Sequence, residues 1–419
     1  MKILHAADLH IDSPLGGLSA YEGAPTDEIR GATRRATEAL VSTALAREVD
    51  LVVIAGDVFD GDWRDYSTGL FWIGQLARLN DAQIPVVMVT GNHDAASVIS
   101  RSLRLPANTI LLSDTHPQTT VFDDLDVAVV GQGYATRAVT EDLAAGYPVA
   151  DPGLFTLGLL HTSLDGRPGH DNYAPTTVDM LRSKGYQYWA LGHVHQREII
   201  STEPWIVFPG NIQGRHARET GPKGATLITV EAKRVVEVQE IPLDVARFTT
   251  CEIDTRGMSS RDDVLAAVAD RFADLADASG QRLSVARVRL VGASPVHDTL
   301  WRDPGGLEAE VRSAARQAGR VWVEKLQLAT TRPVDRDRFR DDEALAAISA
   351  RIEALRSGPD LLAEYASEFA SLRAKLAADA RSSERGAVDT LRIGSPEHLA
   401  ECLDASRELI IALLAEGVE

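Results

Sequence analysis

Cysteine is nearly absent. Cys251 and Cys402 are the two thiols in 419 residues, far apart and in no metal or redox spacing, which excludes a disulfide framework or a cysteine-built metal site. Idle thiols suit a reducing compartment, and a cytoplasmic location is expected. Long apolar runs are missing too: the apolar pieces, such as Leu51–Ala55 and 154–160, are strand-sized, far short of the roughly 20 residues of a membrane helix. His5, Asp8, His10 and Asp12 interrupt the N-terminus at once, which excludes a signal peptide there. Positive charge is in deficit, with 43 Lys and Arg against 61 Asp and Glu and a net charge of −18. Nucleic-acid affinity rests on neutralising phosphates, so a chain this acidic is a poor non-specific binder alone. Carboxylates that hold cations are neutralised in place, however, and a partner subunit can supply basic surface.

What is present is α/β patterning in a chain long enough for two domains or more. Residues 1–243 alternate apolar strands with amphipathic helices: strands at Lys2–Ala6, Leu51–Ala55, 86–90, 127–130, 155–160 and 188–191, a helix over 27–48, and added strands at 205–209 and 225–230. Alternation of this kind predicts layers of helices on sheets. Residues 246–331 read as a small α/β domain with strands at 248–253, 283–291 and 321–328 and a helix over 307–318; Ser260-Arg-Asp-Asp263 is positioned as a capping box. After a charged, proline-punctuated linker the chain turns helical over 340–419. Leu345, Ile348, Ile352 and Leu355, then Leu362, Tyr365, Phe369, Leu372 and Leu376, keep the 3,4 spacing of a helix seam. That seam either packs on the chain's own helices or docks a partner.

Five short clusters share a position just after an expected strand: Asp8-x-His10, Gly56-Asp57, Gly91-Asn92-His93-Asp94, His161, and Gly192-His193-x-His195. In open α/β sheets ligands bind beyond the carboxyl ends of the strands, so all five can converge on one crevice. Glycines 56, 91 and 192 let the backbone turn sharply there. Carboxylate, amide oxygen and imidazoles together make a mixed N/O site, suited to manganese, iron or zinc rather than magnesium. Two such ions roughly 3.5–4 Å apart clamp the attacking and leaving oxygens of a displacement at phosphorus and acidify a water.

This series resembles the calcineurin-like metallophosphoesterase superfamily. The opening Ile3-Leu-His-Ala-Ala-Asp-Leu-His10 and the loop Phe208-Pro-Gly-Asn-Ile-Gln-Gly-Arg-His216 resemble the SbcD-type DNA repair nuclease subunits, especially their YhaO-like branch. The resemblance implies a layered sandwich over 1–243, a capping, DNA-binding domain over 246–331 and a partner-docking helical tail over 340–419. It implies that Asp8, His10, Asp57 and His195 hold one metal, with Asp57 bridging to a second completed by Asn92, His161 and His193, manganese being the expected ion. His93 is then the general acid, its imidazole suited to protonating a departing sugar oxygen near neutral pH. Asp94 either orients His93 or is solvated at a helix start; Asp12 and His5 read as supporting residues. Trp63, Arg64 and Tyr66 either rim the crevice and stack on bases or form an ordinary loop, and Arg215 and His216 are placed to contact a phosphate. The implied partners are DNA and an SbcC-like, SMC-type ATPase, with a homodimer as a further assembly. A small-molecule or cyclic-nucleotide phosphodiesterase would use the same metal core.

Overall fold

The strands β1 (Lys2–Ala6), β2 (Leu51–Ala55), β3 (Val86–Val89) and β4 (Thr109–Leu111) pair in parallel, in that order. In β2 and β3 every side chain is buried, the pattern of a sheet covered on both faces. The next strands in the chain are β5 (Gln118–Phe122), β6 (Val127–Gln132), β7 (Phe155–His161), β8 (Tyr188–Gly192), β9 (Glu198–Thr202) and β10 (Trp205–Phe208). They form a second six-stranded sheet, ordered β5-β6-β7-β8-β10-β9. β11 (Gly224–Glu231) then returns antiparallel to β1 and carries β12 (Arg234–Pro242), completing the first sheet as β12-β11-β1-β2-β3-β4. The computed structural model describes residues 1–13, 29, 31–60, 66–95, 103–165 and 173–333, with isolated positions 347, 350, 351, 354, 402 and 403. Trp63 and Arg64 and, apart from those isolated positions, the segment expected to be helical over 340–419 lie outside the described residues.

Alternation along each strand divides the core. Ile3, Leu51, Val53, Val87 and Val89 meet Val129, Leu157, Leu159 and Tyr188 in the layer between the sheets. Leu4, Val52, Ile54 and Met88 point the other way, onto Leu40, Val41 and Ala44 of α1 (Ala32–Arg47) and Trp72, Leu76 and Leu79 of α2 (Ser67–Asp81). A four-residue helix, α3 (Asn92–Ala95), follows β3, and α4 (Val178–Ser183) covers the second sheet's outer face through Leu181, against Leu160, Trp189 and Ile206. The result is the expected α/β sandwich, helices on two stacked sheets. Each large apolar side chain fully buried in these layers contributes about 1.5–3 kcal/mol.

Beyond β12 come β13 (Ala246–Asp254), α5 (Arg261–Ser279), β14 (Leu283–Ala293), α6 (His297–Arg302), α7 (Pro304–Ala318) and β15 (Val321–Thr331), with the strands ordered β13-β14-β15. The α5 start is the capping box: Asp263 N donates to Ser260 Oγ (3.1 Å) and Ser260 N to Asp263 Oδ2 (2.9 Å). Met1–Ile253, Val264–Arg289 and Pro304–Gln327 make one compact unit; Asp254–Asp263, Leu290–Asp303 and the described residues from Leu328 onward make another.

Candidate metal centre

The clusters do converge. β1, β2 and β3 end side by side in one sheet and β7 and β8 in the other, which brings Asp8, Asp57, Asn92, His161 and His193 to one end of the sandwich. Two bonds tie the sheets together there: His161 Nδ1 donates to Ala55 O (2.8 Å), and His193 N donates to Asp8 Oδ2 (3.0 Å). Asp8 (φ 51°), His10 (φ 43°), Asp57 (φ 51°) and His193 (φ 103°) all take left-handed backbone conformations, strain of about 1–3 kcal/mol each of the sort concentrated at functional sites. Gly56 (φ 87°) turns as expected. Gly91 and Gly192 serve by lacking a side chain: a Cβ on Gly91 would lie 2.2 Å from Asp57 Oδ1, and one on Gly192 would lie 2.0 Å from Ala55 O.

Two groups of donor atoms form. In the first, His10 Nε2 and His195 Nε2 face each other at 3.2 Å, with Asp8 Oδ1 at 3.9 Å from His195 Nε2 and Asp57 Oδ2 at 4.0 Å from His10 Nε2. In the second, His161 Nε2 lies 2.9 Å from Asn92 Oδ1 and 3.5 Å from Asp57 Oδ2, and the His193 ring stands edge-on to His161 at 5.2 Å. Two imidazole nitrogens about 3 Å apart, one on the buried His10 and one on the half-buried His195, are spaced as neighbouring ligands of one cation with bonds of about 2.0–2.1 Å. The far nitrogens are occupied: His161 Nδ1 on Ala55 O and His195 Nδ1 on Glu219 Oε1 (2.7 Å). This leaves each Nε2 with its lone pair directed into the site. The donor set therefore fits two divalent cations, with Asp57 between the two groups.

His93 stands at the edge of the site, its side chain 32% exposed. Its backbone N–H donates to Asp57 Oδ1 (2.9 Å) and its Nδ1 lies 3.0 Å from Asp60 Oδ1. The carboxylate against His93 is thus that of Asp60, which the sequence reading passed over. Asp94 takes neither place expected of it: it is buried, and it accepts the backbone N–H groups of Val58, Phe59 and Gly91, which fixes the turn after β2. Glu219 was also missed. Burial favours the neutral imidazole of His93, but the Asp60 hydrogen bond and the charge of Asp57 outweigh it and raise the pKa. Burial opposes ionisation of Asp60, yet hydrogen bonds from His10 and His93 hold it well below the usual carboxylate range.

The remaining residues sort clearly. His5 lies between Tyr188 Oη and Leu191 O (3.1 Å each), and burial lowers its pKa to about 3, so it is a neutral packing residue. Asp12 joins Arg34 of α1 to Thr68 of α2. Tyr66 precedes α2 and is exposed. Arg215 reaches the site, with Nη1 3.5 Å from Asp60 Oδ1 and Nη2 3.3 Å from His195 Nδ1. His216 lies 3.6 Å from Glu219 Oε1 and is more open.

Negative charge is costly here until cations match it. Burial, then the charge of Asp57, pushes Asp8 well above its ordinary value; burial pushes Asp57 up to about 6; burial and then Asp57 push Asp94 up to about 7. A carboxyl raised in the fold adds stability below its unfolded pKa and loses it as pH rises through the folded one. The histidines lowered by burial, His5, His10 and His216, act in the opposite sense only below about pH 6.5. From about pH 6.5 to 8 the metal-free protein should therefore lose stability, while cations bind better as protons leave their ligands. The expected result is a melting-temperature gap between manganese-loaded and EDTA-treated protein, on the order of 5–10 °C at saturating metal, that widens across this range. A gap that narrows would argue against Asp8 and Asp57 as ligands.

A two-sheet sandwich with this cluster beyond its strands defines a metal-binding phosphoesterase, and the chain belongs to the calcineurin-like phosphoesterase family, which matches residues 1–197. A second match, to the domain described as metallophosphoesterase YhaO, middle domain, covers residues 248–331. The chain is 32% identical over 335 residues to metallophosphoesterase YhaO of Bacillus subtilis, covering 78% of this chain and 81% of that protein. It is also similar to the DNA double-strand break repair protein Mre11 of Aeropyrum pernix (31% over 248 residues, 54% of this chain and 57% of that protein). A third relative is Mre11 of Sulfurisphaera tokodaii (23% over 270 residues, 61% of this chain and 66% of that protein). The chain is accordingly a metal-binding hydrolase, and none of its described helices is long and apolar enough to cross a membrane.

Proposed function

We propose that this chain is a two-metal-dependent DNA nuclease, the nuclease subunit of an SbcCD-like repair complex with an SMC-type ATPase. The observation that carries the reading is the His93–Asp60 pair (3.0 Å) at the open edge of the metal cluster. A sugar alkoxide is a poor leaving group and needs a proton as it departs, and His93 is held to give it one. When bound, the two cations, manganese by preference or iron or zinc, supply charge neutralisation at the phosphoryl oxygens and an acidified water. Asp8, His10, Asp57 and His195 would hold one ion, and Asp57, Asn92, His161 and His193 the other. Asp60 accepts from His93 Nδ1, so the opposite ring nitrogen carries the transferable proton toward the leaving oxygen. On this proposal the half-exposed His216 contacts a phosphate. In this reading residues 246–331 cap the crevice and bind DNA, and the tail over 340–419, with 16 acidic and 9 basic side chains and a net charge of −7, docks the ATPase rather than DNA.

DNA as the substrate is supported by the likeness to proteins named for double-strand break repair. The full-length protein with manganese should be assayed on bis-p-nitrophenyl phosphate, cyclic nucleotides, and single- and double-stranded DNA, with and without an SMC-type ATPase and ATP. Manganese-dependent cleavage of DNA, enhanced by the ATPase, is the expected result. Turnover of cyclic nucleotides with DNA left intact would replace the nuclease reading with a small-molecule phosphodiesterase.

A further inference from the structure

We propose that Glu219 is a positioning residue of the metal centre: its carboxylate fixes His195 so that Nε2 faces the cation, and the loop between β10 and β11 holds that carboxylate in place. This rests on the reading of His195 as a metal ligand. Glu219 is 7% exposed, and both of its oxygens are used as acceptors. Oε1 takes the proton of His195 Nδ1 at 2.7 Å; Oε2 takes Arg215 N–H at 2.6 Å and Asn211 Nδ2 at 2.9 Å. The His195 main chain is held from the other side by the buried Lys223, whose Nζ donates to His195 O at 2.7 Å. An imidazole with Nδ1–H committed to a carboxylate has one tautomer and one ring orientation, with its Nε2 lone pair 3.2 Å from His10 Nε2.

The same loop is anchored at β13. Gln213 Oε1 accepts from Val245 N (2.9 Å) and Ala246 N (3.2 Å), its Nε2 donates to Ala246 O (2.5 Å), and Gly221 N donates to Phe248 O (3.1 Å). Phe248 is buried beside Ala246, with Ala217 of the loop packed on that cluster. Asn211, where the sequence reading assigned no role, joins this scaffold by donating to Gln213 O (2.9 Å) and to Glu219. Arg215, expected to contact phosphate, is engaged instead between Asp60 and Glu219, at 3.5 Å and 3.8 Å. It is a strut linking the His93 side of the site to the His195 side.

Glu219→Gln tests this with little change of shape. The amide oxygen can still accept from His195, but the amide nitrogen becomes a donor aimed at the N–H groups of Arg215 and Asn211, or at His195 if it is flipped. Manganese titration calorimetry on the metal-free full-length protein should show one of two ions bound about 10–100-fold more weakly in Glu219→Gln. Excess manganese should restore kcat with KM for a small diester unchanged, and the metal-free melting temperature should fall by no more than the few degrees that a buried donor facing donors costs. Glu219→Ala should bind no better than Glu219→Gln, and if it fails to fold the glutamine variant decides. His195→Ala is the control. Loss of an ion in His195→Ala with normal affinity in Glu219→Gln overturns the role of Glu219 and leaves the ligand assignment standing. Two ions still bound in His195→Ala overturn the assignment and this inference with it.

Discussion

Asp57→Ala is expected to empty both cation sites and abolish hydrolysis of every phosphodiester tested. The carboxylate lies between the two donor groups: Oδ2 is 3.5 Å from His161 Nε2 and 4.0 Å from His10 Nε2, and Oδ1 accepts the His93 N–H. Asp8 also reaches both groups, recurring with Asp57 and His161 and with His10 and His195, but of the two carboxylates it is Asp57 that also accepts the His93 N–H. Its loss takes a charge from each ion and releases the backbone that aims His93. The defect should not be one of folding. Burial pushes Asp57 up to about 6, so near pH 8 its ionised form costs the metal-free fold free energy. Metal-free Asp57→Asn, which keeps the side chain's shape, should therefore melt no lower than metal-free wild type at that pH. Metal analysis finding two ions still bound to Asp57→Ala would end the bridging assignment.

That trade, stability given up so that charges can wait for cations, explains which parts of the site could be read from the sequence. The positions that converge at one end of the sandwich were legible because each follows a strand that is itself legible: β1, β2, β3, β7 and β8 are short apolar runs with a polar residue at or just past the end. β4, β5, β9 and β12 were not, since their half-exposed, mixed side chains lack the periodicity that marks a strand covered on both faces. The capping box at Ser260 could be read because both partners are local. Glu219 could not: it is 24 residues from His195 in the chain and meets it only through the path of a loop, for which spacing gives no signal. Asp60 did leave a signal. It sits three residues after Asp57, on the same strand-end turn, and a second acid so placed points back into the crevice. Asp94, adjacent to His93, drew attention by proximity, but consecutive residues in a helical turn point in different directions, and its carboxylate went to backbone donors.

The second large effect is expected at His93. His93→Ala should keep two ions bound while cutting cleavage of DNA by roughly 10²–10⁴-fold, the usual contribution of a general acid. The separation of chemistry from metal binding follows from the geometry: His93 touches the cluster through its backbone N–H to Asp57 (2.9 Å), which alanine retains, while its ring turns to Asp60 at 3.0 Å. Leaving-group dependence identifies the step. A sugar alkoxide must be protonated as it departs, whereas a nitrophenolate departs unaided, so the loss on bis-p-nitrophenyl phosphate should be much smaller than the loss on DNA. In the metal-free site the Asp60 hydrogen bond and the charge of Asp57 raise the pKa of His93 above its ordinary value; bound cations offset the Asp57 charge, while Asp60 remains against the ring. The wild-type rate on DNA should fall as pH rises through the pKa of His93 in the metal-loaded enzyme, and this falling limb should be missing in His93→Ala. Equal losses on both substrates, with the falling limb retained in the variant, would assign the leaving-group proton to another group and leave His93 a role in orienting substrate.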